Sequence, residues 1–329
     1  MKSRFSERIF DIRDDAAFSV IAMEELTYQY ENNPVYRSFT DNLGKSPWNL
    51  KSLNEIPFLP IEFFRNLPVI TGRVQVEMIF ESSGTTGSQT GKHFVKELSL
   101  YEESFVRGFR LFYGDPENYI IIALLPSYTE RGGSSLVYMV QKLIGLSNND
   151  LSGFYRNNIS DVINRIKDKK PAGRQILLIG VSFALLDLAE KTYPDLSGAI
   201  IMETGGMKGR RKELIRTELH SILIKRLNVD TIHSEYGMTE LLSQAYSKGN
   251  GVFRCPPWMK ILIRDPQDPL SIITEPGKTG GINVIDLANI NSCSFIATSD
   301  LGKLHEDGSF EVLGRFDNSD IRGCNLMVE

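Results

Sequence analysis

The sequence predicts an α/β fold: a mostly parallel, doubly wound sheet, followed by a small β subdomain. Three observations carry this. Short continuous apolar runs recur through the middle of the chain, amphipathic stretches separate them, and past residue 246 helical spacing gives way to short strand-like runs. Continuous apolar strands joined by helices are what a sheet covered on both faces requires.

Residues 14–30 carry apolar positions at mixed spacings of three and four, which predicts a helix; Pro34 and the run 56–60 then punctuate the chain. Strands are expected at 74–80, 119–125, 175–179, 199–203 and 230–233. Helices are expected at 160–169, with Ser160 as N-cap, and at 210–227. The runs 281–286, 294–298 and 309–314, divided by Gly, Asp and Asn, read as strands of the small subdomain. The expected division is an α/β core over 1–245, helical over 1–75 and sheet-bearing over 76–245, then the β subdomain over 246–329. In open parallel sheets ligands sit beyond the carboxyl ends of the strands, so the segments following strands are the ones to read for chemistry.

Bulk properties narrow the function. The 329 residues are 41% hydrophobic and 24% charged, with a net charge of −4. That is an ordinary globular composition, with no electrostatic grip on nucleic acid or on an anionic membrane. The three cysteines, Cys255, Cys293 and Cys324, form no disulfide framework and keep no zinc-ligand spacing with the four histidines, which fits a reducing cytoplasm. The N-terminal stretch is charged throughout, with no apolar signal core, and the longest apolar runs are too short to span a bilayer.

After the first expected strand comes Glu81-Ser82-Ser83-Gly84-Thr85-Thr86-Gly87-Ser88-Gln89-Thr90-Gly91-Lys92. Glycines let backbone N–H groups approach an anion, and hydroxyls add donors to phosphate oxygens. A plain surface hairpin is the other reading of such a stretch. A Walker loop would need Gly where Thr86 stands and Ser or Thr where His93 stands, so a P-loop enzyme is disfavoured.

Four segments in order resemble adenylate-forming enzymes. Ser82-Ser83-Gly84-Thr85-Thr86-Gly87 resembles their phosphate loop, and Tyr236-Gly237-Met238-Thr239-Glu240 their Y-G-x-T-E signature. Thr298-Ser299-Asp300-Leu301 resembles T-G-D-L, and Gly314-Arg315-Phe316-Asp317 with Ile321-Arg322-Gly323 resembles the hinge. Within that superfamily the chain is most similar to LuxE-type acyl-protein synthetases, through Ile56-Pro57-Phe58-Leu59-Pro60, Leu124-Leu125-Pro126-Ser127-Tyr128, Gly133-Ser134-Ser135-Leu136 and Glu203-Thr204-Gly205-Gly206-Met207-Lys208. The resemblance implies the N-terminal core of that fold. It also implies ATP-dependent activation of a carboxylic acid, in that family a fatty acid, as acyl-AMP. The acyl group would then be held as a cysteine thioester and passed to an acyl-accepting protein, a reductase or a carrier. The loop lacks the usual x-P-K-G ending, so Lys92 does not inherit a loop-lysine role. The chain stops at Glu329 just past the hinge, so most of the mobile C-terminal domain is expected to be absent.

The resemblance also assigns roles. Ser83, Thr85 and Thr86, with the backbone of Gly84 and Gly87, hold the β- and γ-phosphates; Thr239 meets the α-phosphate; Glu240 helps hold Mg²⁺, whose preference is for carboxylate and phosphate oxygens. Tyr236, followed by Gly237, packs on adenine, Gly205 and Gly206 shape the nucleotide wall, Asp300 accepts from the ribose hydroxyls and Arg315 reaches the same sugar. Cys324, after Arg322-Gly323, is the candidate acyl acceptor, its thiolate favoured by the arginine. Each has a plainer counterpart: a core aromatic for Tyr236, a helix N-terminal carboxylate for Glu240, a surface ion-pair partner for Arg315, a buried small residue for Cys324. Lys208 is either a phosphate contact or the solvated start of a helix, and His233 either lines the acyl pocket or is a hydrogen-bonded core histidine. Phe183, Leu185 and Leu186 are acyl-pocket or core residues, and Cys255 and Cys293 are expected to be structural.

Three other functions remain open at this point. Delivery to coenzyme A or a carrier protein is one, and a non-catalytic nucleotide- or acyl-binding relic is another. The third is a serine hydrolase or acyltransferase, because Gly180-Val181-Ser182-Phe183-Ala184 resembles a nucleophile elbow, with His220 or His233 downstream.

Overall fold

The computed structural model describes residues 8–73, 75–82, 90–125, 133–155, 173–191, 195–205 and 214–316. The chain divides into two units, Met1–Gln75 with Pro257–Glu329, and Val76–Pro256. The first 75 residues, expected with the α/β core, group with the C-terminal strands.

The first unit opens with helix α1 (Asp15–Asn32), capped where Asp14 accepts from the Ala17 amide at 2.8 Å. Asn33 closes α1 and, through Oδ1, caps α2 (Pro34–Asn42), whose first residue is a proline that needs no amide partner there. A two-residue strand, β1 (Leu59–Pro60), follows.

The second unit begins with a hairpin of β2 (Met78–Glu81) and β3 (Lys92–Val95). Helix α3 (Leu98–Tyr113) leads to β4 (Tyr119–Leu124), and α4 (Ser135–Ser147) leads to β5 (Gly153–Phe154). Then come β6 (Gln175–Gly180), α5 (Ser182–Lys191), β7 (Ile200–Glu203), α6 (Arg216–Leu227), β8 (His233–Tyr236), β9 (Ala245–Ser247) and β10 (Val252–Phe253). The sheet order is β5-β4-β6-β7-β8-β9, parallel except at β9. Alternate residues of a strand face opposite sides. Ile120, Ile122, Leu124, Leu178 and Ile201 pack with Leu185 and Leu186 of α5 and Leu219, Leu223 and Leu227 of α6. The alternate set Ile121, Ala123, Leu177 and Ile179 is equally buried, which is why these strands read as unbroken apolar runs. The strand expected at 230–233 lies three residues later, so Tyr236 ends β8 instead of following it. Helix α6 is described only from Arg216, and the helix expected at 160–169 falls outside the described residues.

The first unit resumes with β11 (Met259–Arg264), β12 (Ile272–Ile273), β13 (Thr279–Asp286), β14 (Phe295–Leu304) and β15 (Phe310–Arg315). Strands β15-β14-β13-β11-β12 are antiparallel neighbours, and β1 adds to β14 in parallel, Leu59 opposite Ile296 and Pro60 opposite Ala297. Hydrogen bonds tie α1 to the same strands. Gln29 Nε2 donates to Ile290 O at 3.0 Å and to Ser294 Oγ at 3.1 Å, Ser294 Oγ donates to buried Glu25 at 2.8 Å, and Asn33 Nδ2 donates to Ser292 O at 2.8 Å. These pairings between residues some 260 positions apart are the physical reason the N-terminal helices belong with the β subdomain.

Candidate active site

The base of the hydroxyl-rich loop is closed by its own hairpin. The Ser82 amide donates to Gly91 O at 2.9 Å, and the Gly91 amide returns a bond to Ser82 Oγ at 2.8 Å. Ser83, Gly84, Thr85, Thr86 and Gly87 lie outside the described residues. The hairpin base abuts the segment that leaves β8. There Gly237 and Met238 lead into a turn at Thr239–Glu240, closed by the Leu241 amide on Met238 O at 3.1 Å. The chain turns here and forms no helix, so a helix-dipole role for Glu240 is removed.

Two contacts fix the junction. His93, 1% exposed, places Nδ1 2.8 Å from Thr239 O; a carbonyl only accepts, so Nδ1 carries the proton. Gly91 faces the Glu240 carboxylate so closely that a Cβ there would stand 2.5 Å from Oε1 and 3.2 Å from Ser82 Oγ. A side chain at 91 would make the Glu240 carboxylate shift from its place. Thr239 is half-buried and Glu240 is buried. Lys92 is turned to Glu81 at 3.6 Å, both about half exposed.

The end of β7 carries a second charged group. Glu203, 2% exposed, accepts the Gly205 amide at 2.7 Å and Ser182 Oγ at 3.1 Å on Oε2; Arg216 Nε lies 3.3 Å from Oε1 and His220 Nε2 3.6 Å from it. Burial pushes this carboxyl up, but His220, Arg216 and the Gly205 N–H outweigh it and hold it at about 2. Gly205 turns at φ +70°, a left-handed conformation that glycine adopts without strain. Glu203 therefore pins the turn that opens the Gly205-Gly206 segment. Gly206 and Lys208 lie outside the described residues.

This geometry removes the nucleophile-elbow reading. In a serine hydrolase the imidazole stands between hydroxyl and carboxylate. Here Ser182 gives its hydrogen directly to Glu203, a carboxylate held too acidic to act as base, and His220 lies on the carboxylate's other oxygen. His233 Nδ1 is 3.1 Å from Tyr113 Oη, and burial, with Lys248 nearby, depresses the ring to about 4. Leu185 and Leu186 are fully buried in the sheet–helix core and Phe183 packs against it, so the three are core residues. Tyr236 is buried edge-on to Phe253 at 6.0 Å.

Asp300 and Arg315 belong to the first unit. They face each other across β14 and β15, Arg315 Nε 3.5 Å from Asp300 Oδ1, with the arginine 82% exposed and the aspartate almost covered. Behind them Arg264 is buried, donating to Ile282 O and Asn283 Oδ1 at 2.8 and 2.9 Å and to Thr298 O at 2.5 Å. Cys293 is buried with its thiol pushed up to about 12 by burial, a structural cysteine. Cys255 is half-buried. Cys324 lies outside the described residues. Among the described residues no three His, Cys, Asp or Glu side chains cluster as a metal site, and no helix is long and apolar enough to cross a membrane.

Sequence reading missed His93, Glu203, Arg216 and Glu235. For Glu203 and Glu235 the available signal was an acidic residue at or near the carboxyl end of a strand.

The fold is that of the N-terminal core of adenylate-forming enzymes. The sequence matches no protein-family model and no curated protein. Among solved structures the chain is similar to 2-hydroxyisobutyryl-CoA ligase in an open conformation with 2-HIB-AMP and CoA. There the identity is 15% and the TM-score 0.69, over 92% of this chain and 70% of that one. It is also similar to ATP-bound MatB from Rhodopseudomonas palustris, at 16% identity and TM-score 0.53 over 73% of this chain and 48% of that one. O-succinylbenzoate coenzyme A synthetase (MenE) from Bacillus subtilis, in complex with AMP, follows at 21% and 0.52 over 75% and 50%.

Proposed function

We propose that this chain is an ATP-dependent acid–thiol ligase of the AMP-forming kind. A carboxylate oxygen attacks the α-phosphorus of ATP, the bond to pyrophosphate breaks, and acyl-AMP forms. A thiolate then attacks the acyl carbon and AMP leaves. The observation that carries the reading is the junction of the hydroxyl-rich loop's base with Thr239 and Glu240, through Gly91 and His93.

Two anions must meet in the first step, so the site has to neutralise charge and hold geometry. The loop hydroxyls and amides of Ser83 to Gly87 are assigned to the β- and γ-phosphates, and the Thr239 hydroxyl to the α-phosphate. His93 holds the Thr239 carbonyl and so sets the direction of that turn. The Glu240 carboxylate fits Mg²⁺ as a buried hard oxygen donor beside the loop. In the absence of a three-ligand cluster among the described residues, phosphate oxygens would complete the coordination. When bound, the ion would offset the charge of the triphosphate. Asp300 and Arg315 are assigned to the ribose, and Tyr236, Gly205 and Gly206 to the base and its wall.

For the second step we follow the acyl-protein synthetase resemblance: Cys324 takes the acyl group and passes it to a protein acceptor. Coenzyme A as acceptor is the second reading, favoured by similarity to a ligase solved with CoA. Acid-dependent ATP–pyrophosphate exchange with Mg²⁺ tests the first step; no exchange with any acid, despite ATP binding, would overturn it. Cys324→Ala separates the acceptors. It should spare exchange and abolish hydroxylamine-labile acyl label on the chain, whereas persisting label excludes Cys324.

A further inference from the structure

Beside the signature turn lies a set of buried polar groups that the proposed chemistry leaves unused. Glu235 is 9% exposed, and burial and Glu203, with no hydrogen bond among them, set the state of its carboxyl. Gln244 is 5% exposed with Oε1 unpartnered, and Tyr246 is 2% exposed with Oη unpartnered. They converge. Glu235 and Tyr246 are directly opposite on β8 and β9. A Cβ on Gly237 would stand 2.4 Å from Glu235 Oε1 and 3.3 Å from Gln244 Cγ, so the carboxyl lies over the signature's own glycine, between Tyr236 and Thr239.

Buried polar atoms are nearly always satisfied, and a cluster of orphans beside a reaction centre marks a missing partner. The groups facing Glu235 are Glu203, Tyr246 and Tyr113, with His233 on the Tyr113 hydroxyl and Lys248 over its ring at 5.6 Å. None brings a positive charge to the carboxyl. Burial, with Glu203 beyond, pushes it up to about 8, so at neutral pH it is held as the acid. Gln244 Oε1 and Tyr246 Oη call for a donor with several hydrogens, and a positive charge on that donor would let the neighbouring carboxyl ionise.

We propose that Glu235, flanked by Gln244 and Tyr246, receives an amino group on the acid that this chain activates, a few bonds from the carboxylate. This rests on the acid-activating function proposed above, and replaces the fatty acid of the resemblance with an amino-substituted acid. Binding transfers the Glu235 proton to solvent and leaves an ammonium–carboxylate pair.

The test uses the full chain with matched acids whose amino groups are charged at pH 7: alanine and propionate, phenylalanine and 3-phenylpropionate, 4-aminobutyrate and butyrate. In ATP–pyrophosphate exchange the preferred amino acid should exceed its unsubstituted match by on the order of 10- to 100-fold, and Glu235→Gln should bring that ratio near one. Calorimetry in two buffers of different ionisation enthalpy gives a second readout. With the carboxyl at about 8, wild type at pH 7 should release roughly 0.9 proton per amino acid bound, and Glu235→Gln none. Equal exchange with unsubstituted acids, an unchanged ratio in the variant, binding without proton release, or no binding of any amino acid would each overturn the proposal. Proton-linked binding without exchange would instead refute acid activation and leave the amine site standing.

Discussion

Replacing Glu235 with glutamine should stabilise the fold at neutral pH. The carboxyl has an ordinary value of 4.5 and sits at about 8 in the folded chain. Below pH 4.5 it is protonated both folded and unfolded, and its contribution is fully present. From 4.5 towards 8 the unfolded chain ionises and the folded one does not, so stability is lost at about 1.4 kcal/mol per pH unit. At pH 7 the accumulated loss is on the order of 3 kcal/mol. Glutamine keeps the shape and does not titrate, so the variant escapes that loss. The assay is urea unfolding at pH 5.5, 6.5 and 7.5, followed by circular dichroism because both tryptophans, Trp48 and Trp258, lie in the other unit. The variant's advantage should widen by about 1.4 kcal/mol for each unit. A difference flat with pH, or a variant less stable at pH 7.5, would refute the reasoning. The same change should weaken substrate discrimination, a trade of recognition against stability.

Three further outcomes are expected. Gly91→Ala should drive the Glu240 carboxylate from its place and lower exchange by on the order of 100-fold with ATP binding retained, measured by exchange alongside nucleotide titration. Arg216→Ala should cost about 3 kcal/mol by leaving Glu203 short of a partner. The stability Glu203 contributes is present above pH 4.5 and is lost as pH falls through about 2, so the variant should unfold at a higher pH in an acid titration. His233, depressed to about 4, should stay neutral in an NMR titration down to that pH; its contribution is present above 6.5 and lost on descending towards 4.

The parallel sheet was legible because β4, β6 and β7 are apolar on both faces, and a strand covered twice leaves an unbroken signature. β8 was misplaced because its residues are His233, Ser234, Glu235 and Tyr236: this strand is polar where the others are greasy. The grouping of the two termini was hidden for another reason. It depends on a two-residue strand pairing with residues nearly 240 positions away and on side-chain amides reaching backbone carbonyls, and neither leaves a local pattern. At the site, the signature glycines and acids were visible as a motif. That Gly91 faces Glu240, or that His93 grips the Thr239 carbonyl, depends on two segments meeting in space. The histidine had registered only as a mismatch to a Walker loop.

The hairpin that carries the hydroxyl-rich loop has a practical consequence for engineering. β2 and β3 form a two-stranded ribbon outside the parallel sheet, and Ser82 and Gly91 clip its mouth with two hydrogen bonds. Whatever sequence is strung between those two residues starts and ends at fixed points. The interval 83–90 is thus a natural place for grafted segments. Segments of other lengths can be grafted there with loop-closure costs of about 0.6 kcal/mol per doubling. A library confined to that interval would vary the loop on an unaltered hairpin base.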